Sequence, residues 1–190
     1  MNDKIKKLTL SAMFLAIGMI LPFFTGQIPR IGNMLLPMHI PVLLCGLICG
    51  WQYGAAVGLV LPLLRSMTLG MPPLFPTATA MAFELMTYGF VSGWMYERSK
   101  WKCIVALYRS LIAAMLAGRV VWGVVQIVLL GVTGAGFTWQ MFMAGAFINA
   151  VPGIIAQLLI IPAVMIALNR TGLVRFGSTH KEKETAKAAR

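Results

Sequence analysis

The chain alternates long apolar runs with short polar or Gly- and Pro-rich connections. A transmembrane α-helix needs about 20 predominantly apolar residues, and the pattern contains six such runs. The second and third runs should form a tight helical hairpin around the uncharged turn 52–54. The predicted helices span about 8–24, 37–51, 55–70, the residues after the Pro-rich stretch 71–76 to Tyr96, 106–132 and 140–168.

The overall composition agrees with this pattern. Of 190 residues, 59% are hydrophobic and 11% are charged, with a mean hydropathy of +0.83. Soluble domains are about half apolar and one quarter charged. We therefore predict an all-α integral membrane protein of the cell membrane, with the lipid bilayer as its solvent. Residues 1–176 should form a single six-helix domain, and residues 177–190 a basic, flexible cytoplasmic tail.

The distribution of basic residues predicts the orientation of the helices. Three Lys precede the first run, four Lys or Arg lie at 97–109, and six follow Asn169, whereas the opposite connections contain only Arg30. Because cytoplasmic loops are enriched in Lys and Arg, both termini should be cytoplasmic. The same rule explains the net charge of +11 without a nucleic-acid partner.

Three ionisable residues fall inside the apolar runs, namely Arg65, Glu84 and Arg119. Such groups cost several kcal/mol in hydrocarbon unless they face a partner or a wet cavity. Arg65 and Glu84 are predicted at similar depth, so they either form an ion pair that fixes helix packing or line a pocket open to the outside. Arg119 would then lack an intramembrane acid, and the interior excess of one positive charge favours an anion such as a carboxylate.

A few polar residues are further candidates for such a pocket. His39 lies between Pro37 and Pro41 at the external start of the second run, where it is either a packing residue or a ligand contact. Asn149, Gln126 and Gln157 could bind a solute or hold helices together. Asn149 is the preferred candidate of the three, because it alone is shallow enough for an external pocket.

Aromatic residues could supply the apolar part of a pocket. Phe75, Tyr88, Trp122 and Trp139 are the candidates, with anchoring at the membrane interface as the alternative. Interfacial anchoring is preferred for Trp51, Trp94, Trp101 and Trp139.

Motifs for covalent chemistry are absent from the sequence. There is no G-x-x-x-x-G-K-[ST] phosphate loop, no H-E-x-x-H and no Ser, His and Asp set. Cys45, Cys49 and Cys103 have no companion ligands at metal-site spacing and are interpreted as packing residues. We therefore expect no catalytic residue, no metal and no cofactor, and no ATPase activity in this chain.

The first run contains Ala12 and Ala16 on one helix face, a pattern that allows close approach of another helix. Together with the long first external loop, the motif Leu36-Pro37-Met38-His39-Ile40-Pro41-Val42 and six runs in about 190 residues, it resembles an S component of an energy-coupling factor (ECF) transporter. The resemblance covers essentially the whole chain.

That resemblance implies a membrane subunit that binds a vitamin or related micronutrient. It also implies docking, through Ala12 and Ala16, onto a transmembrane T component that carries two cytoplasmic ATPases. The subunit would topple in the membrane to carry its occupied site inward, and loops 27–33 and 71–76 would act as lids.

Members of one fold bind different solutes, so the fold alone does not name the substrate. The positive interior favours a carboxylate-bearing vitamin, with pantothenate preferred over folate, cobalamin and queuine. Two other classes remain open: a stand-alone secondary transporter, for which no internal repeat is visible, and a ligand-free structural or assembly subunit, in which Arg65, Glu84 and Arg119 only pair.

Overall fold

A computed structural model describes residues 3–25, 37–99, 103–132, 138–143, 145 and 150–170, and every regular element in these ranges is helical. A π-helical turn, Leu74–Ala78, precedes the fourth helix. The helices are α1 (Asp3–Thr25), α2 (His39–Cys49), α3 (Trp51–Leu69), α4 (Thr79–Arg98), α5 (Ile104–Val132), α6 (Trp139–Met143) and α7 (Val151–Arg170).

Three of these helices are long and apolar enough to cross a membrane by themselves. They lie at Asp3–Phe23, Ile104–Val132 and Val151–Arg170. The 11 residues of α2 extend about 16 Å at 1.5 Å per residue, which is half of the hydrocarbon thickness. The all-helical membrane fold is therefore confirmed, whereas six crossings with both termini in the cytoplasm stay a prediction.

Helix α4 lies at the centre of the bundle. It packs against α2, α3 and α5, while α1 covers α2 and α3, and α7 contacts α2 and α5. The core between them contains fully buried Leu43, Leu61, Leu85, Leu107 and Ile161, one from each of the helices α2 to α5 and α7. The side chains of α4 are thus placed where three other helices can reach them.

Close packing of α2, α3 and α4 depends on a row of glycines, which we call the glycine seam: Gly46, Gly54 and Gly89. A Cβ atom on Gly54 would lie 2.5 Å from the Cα of Gly46, and one on Gly46 would lie 2.5 Å from the carbonyl oxygen of Gly89. A Cβ atom on Gly89 would overlap the backbone of Gly54. Backbone therefore rests directly on backbone, as in small-residue interfaces of membrane helices.

The α2–α3 hairpin turns earlier than the sequence predicts. Gly50 ends α2 with φ 107° and its N–H donates to the Gly46 carbonyl at 3.1 Å, and α3 begins at Trp51, so the predicted turn 52–54 lies inside α3. The reason is the positive φ, which glycine adopts without steric cost.

In the sixth predicted run, 140–168, the described helices are α6, which ends at Met143, and α7, which begins at Val151. Pro152 is the second residue of α7, a position where its missing N–H would have no intrahelical partner. The run was predicted as one helix because Pro152 does not interrupt its hydrophobicity. The predicted tail 177–190 lies outside the described residues.

The glycine seam yields a stability prediction. Replacing Gly89 with Ala should destabilise the protein by at least about 1–3 kcal/mol, the usual cost of overpacking, because the contact is with rigid backbone. The measurement is the thermal unfolding midpoint in detergent. Gly131→Ala is the matched control, since a Cβ there meets nothing within 4 Å, and it should leave stability unchanged or raise it by up to about 1 kcal/mol, because Ala favours a helix more than Gly does. Equal unfolding midpoints for Gly89→Ala and Gly131→Ala would show that close packing at the glycine seam does not contribute to stability.

Candidate functional site

Four buried side chains from three helices meet near the end of the bundle where α2 and α4 begin. We call them the polar cluster: His39 of α2, Glu84 and Tyr88 of α4, and Arg119 of α5. Arg119 Nη1 lies 3.0 Å and His39 Nε2 lies 3.6 Å from Glu84 Oε1. The rings of His39 and Tyr88 are 5.1 Å apart and tilted by 59°. All four residues are at most 5% exposed.

The local sequence explains this convergence. Glu84 and Tyr88 are four residues apart on α4 and therefore share a helix face. Tyr88 fits against α5 because Gly118 has no side chain there: a Cβ atom on Gly118 would overlap the Tyr88 ring. The neighbouring residue in α5 is Arg119, and the Tyr88 side chain interacts with both Glu84 and Arg119.

The ion pair uses only part of the guanidinium. Among the described residues, neither Nε nor Nη2 of Arg119 has a hydrogen-bond partner. These two nitrogens form the side-on edge of the guanidinium, whose parallel N–H groups match the two oxygens of a carboxylate. The cluster thus keeps a bidentate donor edge, although buried polar groups are normally hydrogen-bonded.

Two buried amides from α5 and α7 have similar unused capacity. Gln126 lies two helical turns beyond Arg119 on the same face of α5, and Gln157 of α7 is 1% exposed. The Oε1 of Gln126 and both amide atoms of Gln157 have no hydrogen-bond partner within the described part of the chain. Asn149, preferred from the sequence, lies outside the described residues.

Of the two alternatives given for Arg65 and Glu84, the ion pair between them is wrong, because Glu84 pairs with Arg119 instead. Arg65 Nη1 donates to the Met19 carbonyl at 2.7 Å, and the guanidinium lies 5.2 Å from the centre of the Phe23 ring. Arg65 therefore faces α1, whereas Glu84 faces α2 and α5. Arg119 was expected to lack an intramembrane acid if Arg65 paired with Glu84, and its acid is Glu84 itself.

The predicted aromatic residues are dispersed. Tyr88 joins the polar cluster, Phe75 is 49% exposed before α4, and Trp122 stacks on Phe142 with ring centroids 6.4 Å apart. The side chain of Trp139 lies outside the described residues.

An apolar cleft of about 290 Å³ lies between α1, α2 and α7 and includes Ile40 and Pro41, the two residues after His39.

The thiols lie away from the polar cluster. Cys45 and Cys49 are buried in α2, and Cys45 Sγ contacts Ser11 Oγ at 3.6 Å. Within the described ranges, no group of three or more His, Cys, Asp or Glu residues could hold a metal ion. The chemistry of the polar cluster is therefore that of hydrogen bonding and ion pairing by organic side chains.

The ion pair predicts a specific pattern of stability changes. Arg119→Met should destabilise the protein by about 3–5 kcal/mol, because it leaves the Glu84 carboxylate buried without a partner. Glu84→Gln combined with Arg119→Met removes both charges and should recover most of that loss. Thermal unfolding in detergent measures both variants. A double variant no more stable than Arg119→Met would show that the loss does not arise from an unpaired carboxylate.

Comparison with known families gives one match. The model of the family described as ECF transporter, substrate-specific component, matches residues 6–165, and a search of curated proteins finds no significant match. The matched range includes every helix that contributes to the polar cluster. The chain therefore belongs to the family of ECF transporter substrate-specific components.

Proposed function

We propose that this subunit captures a carboxylate-bearing vitamin from outside the cell, for uptake driven by ATP hydrolysis in partner subunits. The observation that supports the proposal most directly is the side-on edge of Arg119, which is buried beside Glu84 and has no hydrogen-bond partner in the described part of the chain. Family membership supports a substrate-binding subunit that is not itself an enzyme. The same family membership supports the T component and the ATPases as partners of this subunit.

The structure of the cluster favours a carboxylate over other ligand groups. A guanidinium is a planar cation that recognises carboxylates, and the Nη1 of Arg119 already lies 3.0 Å from Glu84 Oε1. A ligand carboxylate on Nε and Nη2 would form two parallel charge-assisted hydrogen bonds in a low-dielectric interior. His39 lies 3.6 Å from Glu84 Oε1 and its ring is 5.1 Å from that of Tyr88, so both side chains would lie near the bound group.

Pantothenate is the substrate that we propose first. It combines a carboxylate with an amide and hydroxyl groups, and the amides of Gln126 and Gln157 offer both donors and acceptors that no described residue uses. An aliphatic solute also suits a largely apolar interior with few polar contacts. Phe75 and Asn149 are proposed only as contacts at the rim of the site, and Arg65, which donates to the Met19 carbonyl, is proposed to stay outside it.

The proposed orientation places this site at the external side. The polar cluster is nearer to the starts of α2 and α4 than to their ends, and the basic residues concentrate at the opposite end of the bundle. Since basic residues favour the cytoplasmic side, the starts of α2 and α4 would face outward. Solute would then reach Arg119 from the outside.

The substrate is tested by mass spectrometry of small molecules released when the purified protein is denatured, followed by calorimetric titration with pantothenate. Arg119→Lys keeps a positive charge beside Glu84 but lacks the bidentate edge, so it should weaken pantothenate binding at least about tenfold. Arg65→Lys is the matched control and should change affinity less than about twofold, because Arg65 is engaged by Met19 and Phe23.

The two substitutions separate the possible errors. An unchanged affinity in Arg119→Lys would remove the assigned role of Arg119. Equal losses in both variants would mean that Arg65 also contacts the ligand. Release of a vitamin without a carboxylate would contradict the substrate class while leaving the binding subunit intact.

The proposed docking surface is the outer face of α1. Ala12 and Ala16 are exposed, and so are their neighbours Met13 and Ile17, at 48% and 39%. Gly18, on another face, packs against Leu61 of α3 instead. A small-residue stripe left uncovered by the bundle suits close approach by a helix of the T component.

Bulky residues on this stripe should separate binding from transport. Ala12→Leu with Ala16→Leu should reduce ATP-dependent uptake in vesicles at least about tenfold by blocking close helix approach, with solute affinity unchanged. Ala163→Leu with Ala167→Leu is the matched control, since these alanines have the same spacing and are also exposed, on α7. Equal loss from both pairs would contradict docking on α1, and uptake without any ATPase would favour a stand-alone transporter.

A further inference from the structure

A second polar feature lies at the opposite end of the bundle, where α4 ends and α5 begins. It is a cleft of about 400 Å³ whose lining includes Trp94 and Arg98 of α4, Arg109 and Ser110 of α5, and Ser99 between the two helices. We call it the arginine cleft. It shares no residue with the polar cluster, so it does not belong to the proposed substrate site.

The charge of the arginine cleft is positive. In the described part of the chain, no carboxylate forms an ion pair with Arg98 or Arg109. The carboxylate of Glu97, next to Arg98, instead lies beside Gly50. The cleft also borders the first two turns of α5, where the helix dipole is positive. Two guanidiniums without a carboxylate partner therefore favour an anion, and the sequence adds Lys100 and Lys102 directly after Arg98.

An apolar surface leads to the arginine cleft. On α4 the exposed side chains are Phe83, Phe90 and Trp94, at 40%, 39% and 42%, and on α5 they include Ile112 and Leu116, at 48% and 55%. The rise from Phe83 to Trp94 is about 16 Å at 1.5 Å per residue, close to the roughly 15 Å of hydrocarbon in one leaflet. The surface has the length of a lipid acyl chain.

Trp94 indicates the depth of the arginine cleft in the membrane. Its ring holds the Arg98 guanidinium at 5.0 Å from the centroid, and tryptophan is enriched at the depth of lipid headgroups. The arginines thus lie at headgroup level, directly beyond an apolar surface of one leaflet's depth. A soluble anion would use the arginines but would leave that apolar surface without a role.

We propose that the arginine cleft binds the phosphate headgroup of an anionic phospholipid of the cytoplasmic leaflet, with an acyl chain along the exposed residues of α4 and α5. Arg98 and Arg109 supply charge-assisted hydrogen bonds to phosphate oxygens. The side of the membrane follows from the concentration of basic residues at this end of the bundle. Bound lipid would stabilise the contact between the end of α4 and the start of α5.

The test is native mass spectrometry of the purified full chain titrated with phosphatidylglycerol or phosphatidylcholine. The wild-type protein should bind phosphatidylglycerol about tenfold more tightly, given the usual attraction of basic residues to anionic lipid. Arg98→Gln with Arg109→Gln should abolish that preference, and Arg109→Gln alone should reduce it about threefold. Lys4→Gln with Arg170→Gln is the matched control: it removes two exposed charges from the same end and should keep the preference.

Each other outcome overturns the proposal in a distinct way. If Lys4→Gln with Arg170→Gln loses the preference for phosphatidylglycerol equally, the preference arises from the overall positive charge of this end. If the wild-type protein shows no preference for phosphatidylglycerol, the arginine cleft is not a lipid site. Displacement of phosphatidylglycerol by millimolar inorganic phosphate would mean a site for a free anion. If Arg98→Gln with Arg109→Gln keeps the lipid preference but loses assembly with the ATPase-bearing partners, the cleft is a protein-docking surface.

Discussion

The ion pair between Glu84 and Arg119, 3.0 Å apart in an interior almost without exposure, constrains the rest of the structure. Each charge alone would cost several kcal/mol in this environment, and removal of one partner would leave the other uncompensated. The two groups can remain buried only if α4 and α5 keep a fixed separation. The pair therefore couples helix packing to the position of the Arg119 guanidinium, whose Nε and Nη2 have no hydrogen-bond partner among the described residues.

The glycine seam fixes the other side of α4. Because Gly46, Gly54 and Gly89 bring backbones into direct contact, α2, α3 and α4 form the most closely packed part of the bundle. His39, the first residue of α2, is thereby held 3.6 Å from Glu84. Preorganised groups of this kind lower the cost of ordering the site when a ligand binds. The outer face of α1 is not needed for this packing and remains available to a partner.

Hydrophobic periodicity and the distribution of charge were enough to predict an all-helical membrane bundle, because the bilayer restricts the length and composition of its helices. They identified His39, Glu84, Tyr88 and Arg119 as candidates, since polar groups inside apolar runs are costly. These patterns did not predict that Glu84 pairs with Arg119. Depth along a helix can be estimated from sequence, but the direction in which Arg65 projects depends on how α1 and α3 pack.

Local backbone features explain why the predicted helix boundaries differ from the observed ones. The turn at Gly50 depends on a positive φ, and α7 begins at Val151, within a run whose hydrophobicity does not mark a helix start. Gly118 contained a usable signal, because a glycine directly before a buried arginine indicates close packing of α5 against a large side chain. That side chain is Tyr88, which links Arg119 to α4 and would have favoured the observed pairing over Arg65 with Glu84.

The charge balance of the polar cluster bears on how an occupied site could cross the membrane. Glu84 and Arg119 cancel each other, so a bound carboxylate would leave the cluster with one negative charge. A cation close to the cluster would be needed to offset that charge in a low-dielectric environment. Arg65 is not positioned to offset it, because Arg65 lies on the α1 side of the bundle and donates to the Met19 carbonyl. The two hydrogen bonds from Nε and Nη2 of Arg119 would therefore have to hold the carboxylate against the charge of Glu84.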